Sequence, residues 1–259
     1  MNDRVALVIG ASKGLGRACA EALAAEGAHV AMVARTRDAL QAAADAVAGQ
    51  HRVRTLAIAA NVASGDDCRR AVEETASAFG RLDVLVTNTG GPRAGAFDAL
   101  DDDAFAAAFE STLMNVVRLV RAAVPHMKAR QWGRVINITS ISARQPIDGL
   151  LLSNTIRPAV VGLAKSLSFE LAPQGILVNN VCPGICRTDR MEELVAARSR
   201  MTGRTPEQVL TDMTASIPLQ RMGEPAELAA LVAFLASEAA SFITGTTIAC
   251  DGGASRGLL

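Results

Sequence analysis

The feature that most restricts the fold is an alternation. Apolar runs of strand length recur along the chain: VALVI (5–9), HVAMVA (29–34), VRTLAIAA (53–60), DVLVTN (83–88), RVINIT (134–139), ILVNNV (176–181) and TTIAC (246–250). Between them lie longer alanine-rich segments of helical period, such as GRACAEALAAEG and AVEETASAFG. Strands buried on both faces read as continuous apolar runs, and parallel neighbours need a crossover that is usually a helix. The pattern predicts an α/β fold, a doubly wound parallel sheet of about seven strands with helices on both faces. No Pro/Gly/Ser-rich linker and no repeat interrupts it, so a single domain over 1–259 is expected. The alternation lapses over 189–222, where two short helical patterns follow one another without a strand. An insertion after a strand's carboxyl end is placed to act as a substrate-side lid, or is a plain surface excursion. Asp101, Asp102 and Asp103 open a helix, where carboxylates suit the positive end of its dipole; they read as a solvated first turn rather than a metal cluster.

Composition excludes several classes. Lys+Arg and Asp+Glu both number 26, so no broad basic face for nucleic acid is expected. Charges interrupt every window long enough to span a membrane, and the N-terminus, MNDRVALVIG, enters a strand without the regions of a signal peptide. Cys19, Cys68, Cys182, Cys186 and Cys250 are odd in number and scattered, which suggests reduced packing thiols in a cytoplasm. CPGIC has no second ligand pair and the 3 histidines are dispersed, so no metal site is expected.

The first strand runs straight into GASKGLG, with Gly10, Gly14 and Gly16. Glycines after an N-terminal strand and before a helix let the backbone approach a pyrophosphate while the helix N-terminus faces the anion. At the end of the second strand, a carboxylate would accept bonds from a free ribose 2′-hydroxyl and repel a 2′-phosphate. The strand ends MVARTR: Ala34 takes the acid's place and Arg35 follows, with Lys13 in the glycine loop facing the same region. Two cations and no acid favour NADP(H).

The chain resembles the short-chain dehydrogenase/reductase family, most closely its 3-oxoacyl-carrier-protein-reductase-like branch. The resemblance covers almost the full length and rests on GASKGLG, LDVLVTNTGG (82–91), GRVINITS (133–140), GILVNNVCPGICRT (175–188) and SFITGTTIACDGG (241–253). It implies a Rossmann-type sheet, a nicotinamide cofactor, a small-molecule carbonyl substrate and a homotetramer built on the long helices around 101–130 and 153–172. Carried over by position, Gly10, Ser12, Lys13, Gly14, Leu15 and Gly16 form the pyrophosphate loop, and Arg35 lies by the ribose. Asn61 and Val62 meet the adenine, Asn88 and Gly90 line the cofactor, and Pro183, Gly184 and Thr188 flank the nicotinamide. Ser140 matches the catalytic serine.

Three catalytic positions depart from the family. Its helix asparagine falls on Thr112, with Asn115 three residues later, its tyrosine on Ser153 and its lysine on Arg157; the chain contains no tyrosine at all. In the family the tyrosine gives a proton to the carbonyl oxygen as hydride arrives. A phenol ionises near pH 10, whereas a serine hydroxyl behaves more like water, at about 15.7. A fully formed serine oxyanion would therefore cost about 7 kcal/mol more, which disfavours alcohol oxidation. Reduction demands less, because the incipient alkoxide is itself basic. Ser153 and Arg157 are four apart and share a helix face. Pro158 requires the helix to begin near Ser153 or to kink there. Three readings stay open: a reductase working through Ser140, Ser153, Arg157 and Thr112; a reductase whose substrate supplies its own proton; and a cofactor-binding homologue acting as sensor or partner subunit.

Overall fold

The protein is described from a computed structural model covering residues 1–257. Seven parallel strands form one sheet: β1 (Val5–Ile9), β2 (His29–Ala34), β3 (Thr55–Ala59), β4 (Val84–Thr87), β5 (Gly133–Ile138), β6 (Ile176–Pro183) and β7 (Thr247–Cys250). Their order is β3-β2-β1-β4-β5-β6-β7. The chain winds outward from β1 in one direction and from β4 in the other. The carboxyl ends of β1 and β4 therefore border a crevice that no crossover covers, the usual ligand position in such a sheet. Every apolar run read from the sequence is a strand. β1 and β2 keep the expected ends, and the others shift by one or two residues.

Each strand sends alternate residues to opposite layers. From β1, Ala6 and Val8 pack with Leu23 of α1 (Gly14–Ala25), Leu40 of α2 (Arg37–His51) and Leu228 of α9 (Pro225–Ala236). Leu7 and Ile9 point the other way, into Val72 of α3 (Gly65–Phe79), Leu119 of α5 (Asn115–Lys128) and Val160 of α6 (Leu151–Leu171). Truncating a fully buried leucine such as Leu119 to alanine costs about 2–5 kcal/mol in a core of this kind.

Three local features position the site. Asp101 caps α4 (Asp102–Phe109) by accepting the Ala104 N–H, as the acidic run predicts. α4 passes into α5 through a π-helical turn, Glu110–Met114, that contains Thr112. The buried Asn115 amide donates to the Ser111 carbonyl at 2.7 Å, in the turn where the regular ladder is interrupted. α6 begins at Leu151 rather than at Ser153, and Pro158 lies eight residues in. The helix thus begins near Ser153, as expected, two residues before it. Leu150 holds the cap position, and Asn154 closes the preceding loop by accepting the Ile147 N–H and donating to its carbonyl. Ser153 thus faces inward from the first turn. The 189–222 insertion holds α7 (Asp189–Thr202) and α8 (Pro206–Thr214), as read. Among the described residues, no helix is long and apolar enough to cross a membrane.

Candidate functional site

A groove of about 500 Å³ lies at the switch point. Gly10, Ser12 and Lys13 line it from the loop after β1, Ala34 and Arg35 from the end of β2, Asn61 and Val62 from the end of β3, and Asn88 and Gly90 from the end of β4. Eight of these are residues expected to hold the cofactor; no carboxylate lines the groove, and Arg190, on α7, lines it as well. Gly14, Leu15, Gly16, Pro183, Gly184 and Thr188, also expected to hold the cofactor, do not line it. Gly10 has φ +68°, and a methyl on it would stand 2.8 Å from Asn88 Nδ2. A methyl on Gly16 would collide with the Gly10 carbonyl oxygen, so α1 can approach the strand end only with glycine there. Leu15 is half-buried against the core instead of facing the groove. Thr188 caps α7 by accepting the Met191 N–H, and its methyl packs where a Gly14 side chain would point. Lys13 is not free: its ammonium sits 3.7 Å from Asp189.

The departing residues meet around a small adjoining pocket that shares Asn88 with the groove. Arg157 is 6% exposed and Ser153 7% exposed. The guanidinium donates through Nε to Ser153 Oγ at 3.1 Å and through Nη1 to the Thr139 carbonyl at 2.6 Å. Ser153 Oγ is also 2.8 Å from Ser142 Oγ, and the Ser142 N–H donates to Ser140 Oγ at 3.1 Å. Ser140, Ser153 and Arg157 are therefore joined through Ser142, which the sequence reading missed. Ser142 carries no motif of its own; its only signal is its place two residues after Ser140, in the loop between β5 and α6. Thr112 shares a small pocket with Asn88, Thr139 and Arg157, and its buried hydroxyl has no partner among the described residues.

The electrostatics are those of a buried, uncompensated cation. Burial pushes the Arg157 guanidinium down to about 10, with a nearby Arg190 charge acting in the same direction. It remains protonated at neutral pH, yet no carboxylate lies within ion-pair distance among the described residues. Burial also pushes the Cys182 thiol up, despite its contact with Thr139 Oγ1 at 3.0 Å. Ser153 differs from a tyrosine in reach as well as acidity. Its oxygen is one bond from Cβ, so it lies within the protein beside Arg157 rather than a ring's length further out. Ser140 Oγ accepts the Ser142 N–H, which leaves its own hydrogen available for a bound oxygen. Such an arrangement can hold a dinucleotide, donate a hydrogen bond and stabilise negative charge on an oxygen.

Residues 10–255 match the family described as enoyl-(acyl carrier protein) reductase. The chain belongs to the short-chain dehydrogenase/reductase family. Within that family it is 35% identical to the 3-oxoacyl-[acyl-carrier-protein] reductase FabG of Staphylococcus epidermidis over 252 residues, 97% of this chain and 98% of the relative. It is 34% identical to oxidoreductase UcpA of Escherichia coli over 254 residues, 98% of this chain and 95% of the relative. Among solved structures it superposes on L-sorbose reductase of Gluconobacter frateurii, complexed with NADPH and L-sorbose, with a TM-score of 0.96 and 33% identity over 99% of this chain and 98% of that one. The short-chain fold of these oxidoreductases is thus shared across nearly the whole of this chain.

Proposed function

We propose that this protein is an NADP(H)-dependent reductase of a small carbonyl compound, such as a 3-oxoacyl derivative, with Ser153 and Arg157 in place of the family's tyrosine and lysine. The observation that carries the reading is the hydrogen-bonded chain Arg157–Ser153–Ser142–Ser140, beside a groove lined by cations and no acid. The glycine cradle and the partnerless Thr112 hydroxyl fit a nicotinamide dinucleotide, which Gly10, Ser12, Asn61, Asn88, Gly90 and Arg35 would hold. A bound nicotinamide supplies the hydride. NADPH over NADH is supported by Arg35 and Ala34 at the ribose position and by the NADPH complex of the sorbose reductase relative.

The residues divide the remaining work. Ser140 donates its free hydrogen to the substrate oxygen. Arg157, charged at neutral pH and poorly solvated, places a positive field behind the hydroxyl chain where oxyanion charge develops. The serines return a proton to the alkoxide and are reprotonated from solvent. Running this backwards requires a serine to act as base, so alcohol oxidation is the weaker direction. Calorimetric titration with NADPH and NADH, followed by NADPH oxidation against a carbonyl panel, tests the reading. Equal affinity for the two cofactors would remove the NADP(H) assignment.

One observation favours a second reading, a cofactor-binding homologue without ordinary turnover: Ser153 Oγ is buried and already engaged by Arg157 and Ser142. Tight NADPH binding with no oxidation across the panel would select it. The proposal extends to one cytoplasmic domain that assembles as a homotetramer. Phe109 on α4 and Phe169 on α6 are 42% and 74% exposed, which gives those helices apolar surface to bury. Light scattering on a size-exclusion column showing only the 26.9 kDa monomer would refute the assembly.

A further inference from the structure

The first two residues of α7 reach opposite walls of the groove. Asp189 extends to Lys13 on the glycine loop, at 3.7 Å. Arg190 extends to the loop after β4. A methyl on Gly91 would stand 3.7 Å from its Nη1 and 3.8 Å from its Nη2, and one on Gly90 would stand 3.9 Å from Nη1. The guanidinium therefore lies across the Gly90–Gly91 backbone, inside the groove. Three residues earlier, Arg187 is paired with Glu224 at 2.9 Å. Arg190 forms no ion pair or side-chain hydrogen bond with any described residue, and the groove it enters has no carboxylate to offer one. The facing wall is the glycine loop at the start of α1, whose N–H groups also favour an anion. Positive groups on both walls, with no carboxylate among the lining residues and the nearby Asp189 paired with Lys13, describe a site for a diphosphate.

We propose that Arg190 is a phosphate clamp carried by the lid. It binds the cofactor's pyrophosphate from the side opposite the glycine loop, and so couples closure of α7 to cofactor binding. The inference rests on the reading that this groove holds NADP(H). A guanidinium suits the role because its planar fork can grip phosphate oxygens in two places, which an ammonium cannot. The position also separates Arg190 from Arg35. Arg35 follows the β2 end, by the adenosine ribose, and should act on the 2′-phosphate alone. Arg190 should act on every cofactor that carries a pyrophosphate.

Calorimetric titration of NADPH and NADH into the whole protein tests this, with Arg190→Ala, Arg190→Lys, Arg35→Ala and Arg187→Ala compared against the wild type. Arg190 is exposed, and a thermal melt of each variant verifies that it folds. Arg190→Ala should weaken both cofactors by about tenfold or more, the scale of one charge-assisted hydrogen bond, and leave their ratio unchanged. Arg190→Lys should recover part of the loss, Arg35→Ala should weaken NADPH alone, and Arg187→Ala should change neither. NADPH affinity unaltered in Arg190→Ala overturns the clamp while leaving the groove assignment in place. Loss confined to NADPH overturns it too, by moving the guanidinium to the 2′-phosphate. A wild type that binds neither cofactor overturns the groove assignment itself.

Discussion

Replacing Arg157 by methionine separates what this residue does for the fold from what it does for the site. Burial lowers the guanidinium to about 10, against an ordinary value of about 12.5. At about 1.36 kcal/mol per pH unit, the folded protein carries a penalty of roughly 3 kcal/mol for keeping the charge. The sign follows from proton binding. Between the two values the unfolded chain holds the proton more tightly, so this penalty is present below about pH 10 and is lost as pH rises through that window. Methionine removes the charge at similar length. It also leaves the Thr139 carbonyl without its 2.6 Å donor, and Ser153 with only Ser142, at a cost of about 1–3 kcal/mol. The terms nearly cancel, so Arg157→Met should unfold in urea within about 2 kcal/mol of the wild type. Cofactor or substrate use should fall far more, with kcat/KM for NADPH-dependent reduction down about a hundredfold. Urea denaturation and calorimetry on the same preparation decide it. A loss of stability beyond about 4 kcal/mol, the scale for breaking a buried ion pair, with unchanged NADPH affinity would show that Arg157 is a structural residue and that the site has been placed wrongly.

Three other outcomes are expected. The double change Ser153→Tyr with Arg157→Lys should raise 3-oxoacyl thioester reduction by about a hundredfold, within the range of general acid catalysis; no gain in initial rate would mean the site's geometry is not the family's. Gly16→Ala should lower stability by more than about 2 kcal/mol and abolish NADPH binding by calorimetry, since its methyl collides with the Gly10 carbonyl; a stable, binding-competent variant would refute the close approach. The Arg221 guanidinium and the Glu224 N–H hold Glu227 down to about 2. Its contribution is present above the ordinary carboxylate range and is lost as pH falls toward 2, so Arg221→Ala should flatten the decline in melting temperature between pH 5 and 2.

The alternation of apolar runs with helical segments was enough to establish the parallel doubly wound sheet, because strands buried on both faces leave little freedom in pattern or connection. Gly10 and Gly16 announced a close backbone approach after β1 for the same kind of reason: a side chain at either would clash. Four-residue spacing was enough to put Ser153 and Arg157 on one helix face, where they form a 3.1 Å hydrogen bond. Pro158 placed the start of α6 near Ser153; the opening at Leu151, two residues earlier, depends on the loop that Asn154 closes at Ile147. Ser142 and Arg190 were invisible for a different reason. Neither sits in a motif, and each matters only through a neighbour distant in sequence: Ser142 through Ser153 of α6, Arg190 through Gly90 and Gly91 after β4. Nor could the sequence show that Ser153 would be buried and Lys13 paired with Asp189. Residue type and spacing determine what chemistry a side chain can offer. Which partners it meets, and whether water reaches it, depends on how the β5–α6 loop and α7 pack beside the switch point.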